Sequence, residues 1–324
     1  MRPRLVLVHG IGPPRDPARE RAEWTAALAT GMRAAGHSRL AAELTGGRGI
    51  DTVFAHYGDL FRRDQAQGQG GGHLPAGPAD PGAALLAELL IAWVDALAEA
   101  TDDPRERALL DHARAQAQPR AQSQGGPALV RRALNVATTV LSLRPWGPAA
   151  RWITPRLMVH HLAQVARYLA RGEEDATGRA LHRRARARVA EALGEGPALV
   201  VSHSLGTVVA LETLHEHPAP VPLFATLGSP IAMRTVVWPR LLPQPPSVPD
   251  SVHRWLNFWD RDDLIAVRPR LERELRPGPT GVLPVSTRTD ADGLWVHSAT
   301  TYLARPDVAG PVAEALTDSA TGPG

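Results

Sequence analysis

The chain contains no cysteine and no lysine. Without thiols it can form no disulfide, no thiolate metal site and no cysteine nucleophile. Without lysine, all 36 of its Lys-plus-Arg positions are arginines, which fill even unremarkable helical surface positions and read as coding bias. The formal charge of +3 is small for 324 residues, makes no case for a nucleic-acid partner, and none is expected. Long apolar runs are also missing. None approaches the ~20 residues of a membrane span, so stable membrane insertion is not expected. The opening "MRPRLVLVHG" enters a strand-like run within four residues and lacks the apolar region and cleavage site of a signal peptide, so the expected location is cytoplasmic. Aromatics are only 5%, yet the hydrophobic fraction of 44% is ample for a core. The length suits one large α/β domain, or one such domain carrying an insertion.

What is present is an alternation of elements. "RLVLVHG" (4–10) is a continuous apolar run closing on glycine, the pattern of a buried parallel strand. A helix from Arg19 to Gly36 and a strand over 51–57 follow. Composition then changes. "RRDQAQGQGGGHLPAGPADPG" (62–82) predicts a flexible Gly/Gln/Pro-rich loop, and "QPRAQSQGGP" (118–127) is a second one. Between and after them Leu86, Leu89, Trp93 and Leu97, then Leu162, Val165 and Leu169, recur at helical spacing. The expectation is a core formed by 1–61 and 173–324, interrupted by a helical insertion over 62–172. That insertion is either a subdomain packed on the sheet or a lid over a substrate pocket.

From Thr177 an Arg-rich helix runs to Gly194. Leu181, Ala185, Val189 and Leu193 form its buried stripe, so Arg183, Arg184, Arg186 and Arg188 read as a solvated face. The strand "ALVVS", a helix after Ser204, the strand "LFATLGSP", a Pro-rich loop (239–249), the strand "RWLNFWD" and a C-terminal helical stretch complete the chain. Strands alternating with helices imply an α/β fold, with a mostly parallel central sheet flanked by helices.

In such a sheet, ligands bind beyond the carboxyl ends of the strands. Within "ALVVSHSLGTVVALETL" (198–214), a strand stops at Ser204 and helical spacing restarts at once. So tight a corner keeps the hydroxyl exposed and admits only small residues two positions either side, here Ser202 and Gly206. It also aims the backbone N–H of Leu205, at a helix N-terminus, at any oxyanion that develops there.

The text S-H-S-L-G resembles the G-x-S-x-G nucleophile elbow of the α/β-hydrolases, with Ser202 in place of the first glycine. "VLVHGIG" (6–12) resembles their oxyanion loop, which implies the N–H of Ile11 or Gly12 as a second oxyanion donor. "WLNFWDRDDLIA" (255–266) offers Asp260, Asp262 and Asp263 as the acid. In this family the acid sits just past a strand and is soon followed by an aliphatic residue, which favours Asp263, with Asp260 as the alternative. His297 is the only histidine after Asp263, and the order Ser, Asp, His is that of the family. His203 adjoins Ser204 and is placed to line a pocket rather than to act as the base. The chain thus resembles the lipase/esterase-like branch, of bacterial intracellular type, at both its ends. The text of 62–172 resembles nothing in that family.

The resemblance implies a serine hydrolase cleaving a carboxylic ester. Ser204 would attack, His297 would carry the proton, Asp263 would orient His297, and Leu205 with Ile11 or Gly12 would bind the oxyanion. No metal and no cofactor is expected. Trp93, Trp146 and Trp152 in the insertion favour a small-molecule or lipid-like acyl substrate. An amidase or peptidase, a thioesterase, or a non-catalytic binding protein that has kept the fold are the alternatives.

Overall fold

Short runs of four to six residues, most of them apolar, become the strands of a six-stranded, all-parallel sheet in a computed structural model of the chain. The structure describes residues 2–10, 16–47, 49–61, 81–117, 133–139, 155–234, 236–261, 263, 265–266, 270–290 and 297–321. The strands are β1 (Arg4–Val8), β2 (Asp51–Ala55), β3 (Ala198–His203), β4 (Phe224–Leu227), β5 (Trp255–Trp259) and β6 (Pro284–Arg288). Their order is β2-β1-β3-β4-β5-β6. The chain therefore steps outward from β1 to β2, then returns across β1 to place β3 on its other side. That reversal is a topological switch point, and it opens a crevice at the carboxyl ends of β1 and β3.

The chain forms two compact units: 1–57 with 185–232 and 241–324, and 58–184 with 233–240. The first contains the sheet. On one face Leu5, Leu7, Leu199, Val201, Ala225, Leu227 and Phe258 share a core with Trp24, Leu28 and Met32 of the helix Pro17–Ala34 and with Tyr302, Leu303, Val308 and Val312 near the C-terminus. The sequence explains where the first helix starts. The Asp16 carboxylate caps it by accepting from the Ala18 N–H at 3.0 Å, and Pro17 opens it without a donor to lose. On the other face Ser202, Thr226, Asn257 and Ser286 fall in one register row. Thr226 donates to Asn257 Oδ1 at 2.9 Å and Asn257 donates to Ser286 Oγ at 3.2 Å, so these polar groups are satisfied inside the fold.

Two elements go beyond the sequence reading. The helix Ser38–Thr45 follows closely on Gly36, where the sequence marks the end of the first helix. β6 is not among the strands expected from the sequence: "PVSTR" begins on proline and carries three polar or charged residues. It is an edge strand with Val285, Thr287 and Arg288 exposed, and so needs no apolar face.

In the second unit the helix Pro81–Ala100 packs against Pro104–Ala117 and Pro155–Ala170. Arg167 joins the two ends of this unit's main segment. Its Nη1 donates to the Phe61 carbonyl at 2.6 Å and its Nε to Glu173 Oε2 at 2.7 Å. Trp93 is completely buried. It is a core residue with no accessible surface to offer an acyl chain, which removes it as support for a lipid-like substrate. Trp146 and Trp152 lie outside the described residues. Among the described residues, no helix is long and apolar enough to cross a membrane.

Gly31 lets the helix Pro17–Ala34 approach the C-terminal segment closely. A Cβ there would stand 2.5 Å from the Leu303 carbonyl oxygen and 2.7 Å from Ala309 Cβ. On a free helix surface Gly→Ala stabilises by about 1 kcal/mol. Here the sign reverses, and Gly31→Ala is expected to lower stability by about 1–3 kcal/mol in urea unfolding.

Candidate active site

Ser204 stands at the switch point, between the end of β3 and the helix Leu205–Leu214, with φ 54° and ψ −130°. This is a left-handed backbone setting that a non-glycine residue adopts only when its surroundings enforce it. Here they do. The Ser204 N–H donates to the Leu227 carbonyl at 3.1 Å, and its own carbonyl accepts from the Thr207 N–H at 2.9 Å and the Thr207 hydroxyl at 2.7 Å. Glycines admit the neighbouring strand. A Cβ on Gly206 would lie 2.3 Å from the His9 carbonyl oxygen, and one on Gly10 would lie 2.7 Å from Ser204 Cβ. The end of β1 is thereby held against the serine. Leu205 is the first residue of its helix, so its N–H has no intrahelical acceptor.

The three side chains singled out in the sequence converge on one line. His297 Nε2 lies 3.0 Å from Ser204 Oγ. Its Nδ1 lies 2.9 Å from Asp263 Oδ2 and 2.8 Å from Oδ1. The contact to the ring is made by Asp263. Asp260, the alternative acid, instead donates its backbone N–H to the Tyr302 hydroxyl at 3.0 Å. Asp262 lies outside the described residues, as do Ile11, Gly12 and Leu264.

Asp263 is buried, and burial by itself would raise its pKa. The charge and hydrogen bond of His297, the Ile265 N–H and the Tyr302 hydroxyl together outweigh burial and hold the carboxyl below its usual value. An ionised Asp263 accepts only, so the Nδ1 facing it carries a proton, and in the neutral form of the ring that is the only one. Nε2 is then the acceptor, and the Ser204 hydroxyl donates to it. Such a pair can transfer the serine proton to the ring and stabilise the resulting imidazolium.

His9 and His203 complete the surroundings. His9 Nε2 accepts from the Tyr57 N–H at 3.0 Å, and the Tyr57 hydroxyl donates to the His9 carbonyl at 2.6 Å. Burial first, then repulsion from His56, hold its pKa at about 3 against a smaller upward pull from the Gly10 backbone. His9 is thus a neutral tie between the ends of β1 and β2. The His203 ring packs 4.6 Å from that of His297 and edge-on to Trp24 at 6.1 Å, centroid to centroid.

Two positions of this cluster escaped the sequence reading. Tyr302 looks like one more apolar residue of a C-terminal helix, and Gly228 like a strand-end turn. Gly228 has φ 54°, and a Cβ on it would lie 2.5 Å from Asp263 Oδ2 and 3.1 Å from His297 Nδ1. A Gly-Ser-Pro run at a strand end was the only signal available. The chain matches no protein-family model, no curated protein and no solved structure.

Two outcomes follow from this geometry. Gly228→Ala is expected to push the Asp263–His297 pair off line and cut the reaction of Ser204 with a fluorophosphonate by about 100-fold, the scale of a 1 Å misplacement. Its thermal unfolding should show a cost of only about 1–3 kcal/mol. The second outcome concerns pH. His9 has a folded pKa below its unfolded value, so as pH falls from about 6.5 towards 3 the unfolded chain binds a proton that the folded chain refuses. Stability contributed by a neutral His9 is complete above pH 6.5 and drains away below it, by about 1.4 kcal/mol per pH unit. Urea titrations at pH 7 and pH 5 should show that slope in the wild type, and one proton's worth less of it in His9→Gln.

Proposed function

We propose that the chain is a serine hydrolase of the α/β-hydrolase superfamily, lipase/esterase-like, cleaving a carboxylic ester through an acyl-enzyme. The observation that carries the reading is the single imidazole of His297, 3.0 Å from Ser204 Oγ on one side and 2.9 Å from a buried carboxylate on the other, at the switch point of a parallel sheet.

In this reading Ser204 Oγ attacks the acyl carbon while His297 Nε2 takes its proton, and Asp263 stays ionised beneath the imidazolium. The oxyanion is met by the Leu205 N–H, with the N–H of Ile11 or Gly12 proposed as the second donor. The approach of Gly10 to Ser204 Cβ supports the latter, because it holds the end of β1 beside the serine. Collapse of the tetrahedral species passes the proton from His297 to the departing alkoxide oxygen. A water activated by the same ring then hydrolyses the acyl-enzyme. Amides and thioesters would use the same groups, and a binding protein would need none of them. We propose the insertion as the lid of this site, a role that now rests on its helical composition and linkers and not on Trp93.

The deciding measurement is covalent labelling. Ser204→Ala should abolish fluorophosphonate labelling and ester hydrolysis, while Ser202→Ala, whose hydroxyl only donates to the Ala225 carbonyl, should keep both. Asp263→Asn should reduce turnover by about 10⁴-fold, the scale set by loss of the correct tautomer, and Asp260→Asn far less. Labelling that survives Ser204→Ala would end this reading. A panel of ester, thioester and amide substrates then identifies the leaving group.

A further inference from the structure

Tyr302 belongs to neither the nucleophile nor the base, yet its hydroxyl touches the acid directly. It donates to Asp263 Oδ2 at 2.7 Å and accepts from the Asp260 N–H at 3.0 Å. The ring has no exposed surface. We propose that Tyr302 is a positioning residue of the site: its hydroxyl, shared between Asp263 and the backbone of Asp260, fixes the acid loop beneath His297 and holds the negative charge of Asp263 there.

The two bonds have different consequences. The bond from the Asp260 N–H fixes the first residue after β5, three positions before the acid, so the loop is held at both ends of the turn. The turn is closed by the Asp263 N–H donating to the Asp260 carbonyl at 3.1 Å. The bond to Asp263 places the positive end of an O–H dipole against the carboxylate. Burial first, then the charge of Asp263, push the phenol well above its usual pKa, so it stays a neutral donor throughout the working range. Asp263 Oδ2 then accepts from both the imidazole and the phenol, while Oδ1 accepts from the Ile265 N–H at 2.9 Å. Among the described residues, the titratable groups facing this cluster are His297 and Tyr302 from the C-terminal segment, Asp260 from the loop after β5, and His203 from the elbow.

A donor that stabilises the carboxylate also lowers the proton affinity of the Asp263–His297 pair as a whole. Removing it should make the pair easier to protonate, and so raise the pH below which His297 is unable to accept the serine proton. A residue that only filled space would lower activity by a common factor at every pH. The proposal rests on the serine hydrolase reading for its effect on rate, but its effect on His297 is independent of any activity.

The test is Tyr302→Phe, which keeps the ring and deletes the hydroxyl. His297 is followed through its Cε1–H NMR titration, assigned by loss of the signal in His297→Asn. Fluorophosphonate labelling rates are measured across pH in parallel. His297 should titrate about half to one pH unit higher in Tyr302→Phe, the scale expected for one hydrogen bond to a carboxylate. The acid limb of labelling should move with it, giving rates about threefold to tenfold lower below the limb and little change above it. Should Tyr302→Phe fold poorly, biosynthetic 3-fluorotyrosine supplies a stronger donor of nearly the same size. The chain has only three tyrosines, and the limb should then move to lower pH. An unmoved His297 titration in either protein, or an equal loss of rate at all pH values, overturns the proposal. A wild-type chain that takes no label at all overturns the hydrolase reading instead, and leaves the His297 titration to decide the role of Tyr302.

Discussion

The left-handed backbone of Ser204 is the constraint around which the sheet-bearing unit is organised. Holding a serine at φ 54° costs about 1–3 kcal/mol, and it persists only where the surroundings over-determine it. Its N–H is tied to β4, through the Leu227 carbonyl, and its carbonyl to the helix that follows, through Thr207. Thr207 Oγ1 is in turn 2.8 Å from Ser229 Oγ, past the end of β4. These bonds fix the corner only if β1 and β4 can approach it. Gly10 and Gly206 clear the first approach, and Gly228 leaves room for the Asp263–His297 pair beside the second. The missing side chains at these glycines are therefore as specific a requirement as the hydroxyl itself.

Charge imposes a second requirement. A buried carboxylate is tolerated only when its lone pairs are met. Asp263 meets donors from its own loop, at Ile265, and from the C-terminal segment, at His297 and Tyr302. That segment is not free to adjust. Tyr302 and Leu303 sit in the same core as Trp24, Leu28 and Met32, and the Leu303 carbonyl presses on Gly31. The position of His297 is thus set by packing between the first and last helical segments of this unit. A core substitution far from the serine can change the site by moving that seam.

How much of this was legible in the sequence depended on whether the signal was local. β1, β3, β4 and β5 are short apolar runs, readable from composition alone. β6 is a polar edge strand paired only to β5 in the sheet, so nothing in "PVSTR" marks it. Ser204 was legible because the corner needs small neighbours two residues either side. His297 was legible by its order in the chain, and Asp263 only as the preferred member of a group of three. Tyr302 and Gly228 were not, because their roles arise between residues far apart in sequence. A tyrosine on an apolar helix face looks like core, and a glycine after a strand looks like a turn. Trp93 failed in the opposite sense: its helical spacing announced an apolar face, but spacing does not say whether that face meets a ligand or a neighbouring helix.

The pairing of His297 with Tyr302 has a mechanical consequence beyond the electrostatic one. The two lie five residues apart on one segment that leads into and forms the helix Ala299–Leu303. Any small displacement of that segment carries both together, and because both bond to Asp263 Oδ2 it draws the acid loop along. The distance between Asp263 and His297 is therefore protected against motion. The distance between His297 and Ser204 is not, since Ser204 is anchored separately to β4 and to its own helix. In the reaction proposed above, proton transfer is sensitive to that second distance. The alignment of Ser204 with His297 is set where the C-terminal helices pack on the sheet, while the state of the imidazole is set by the carboxylate and phenol behind it.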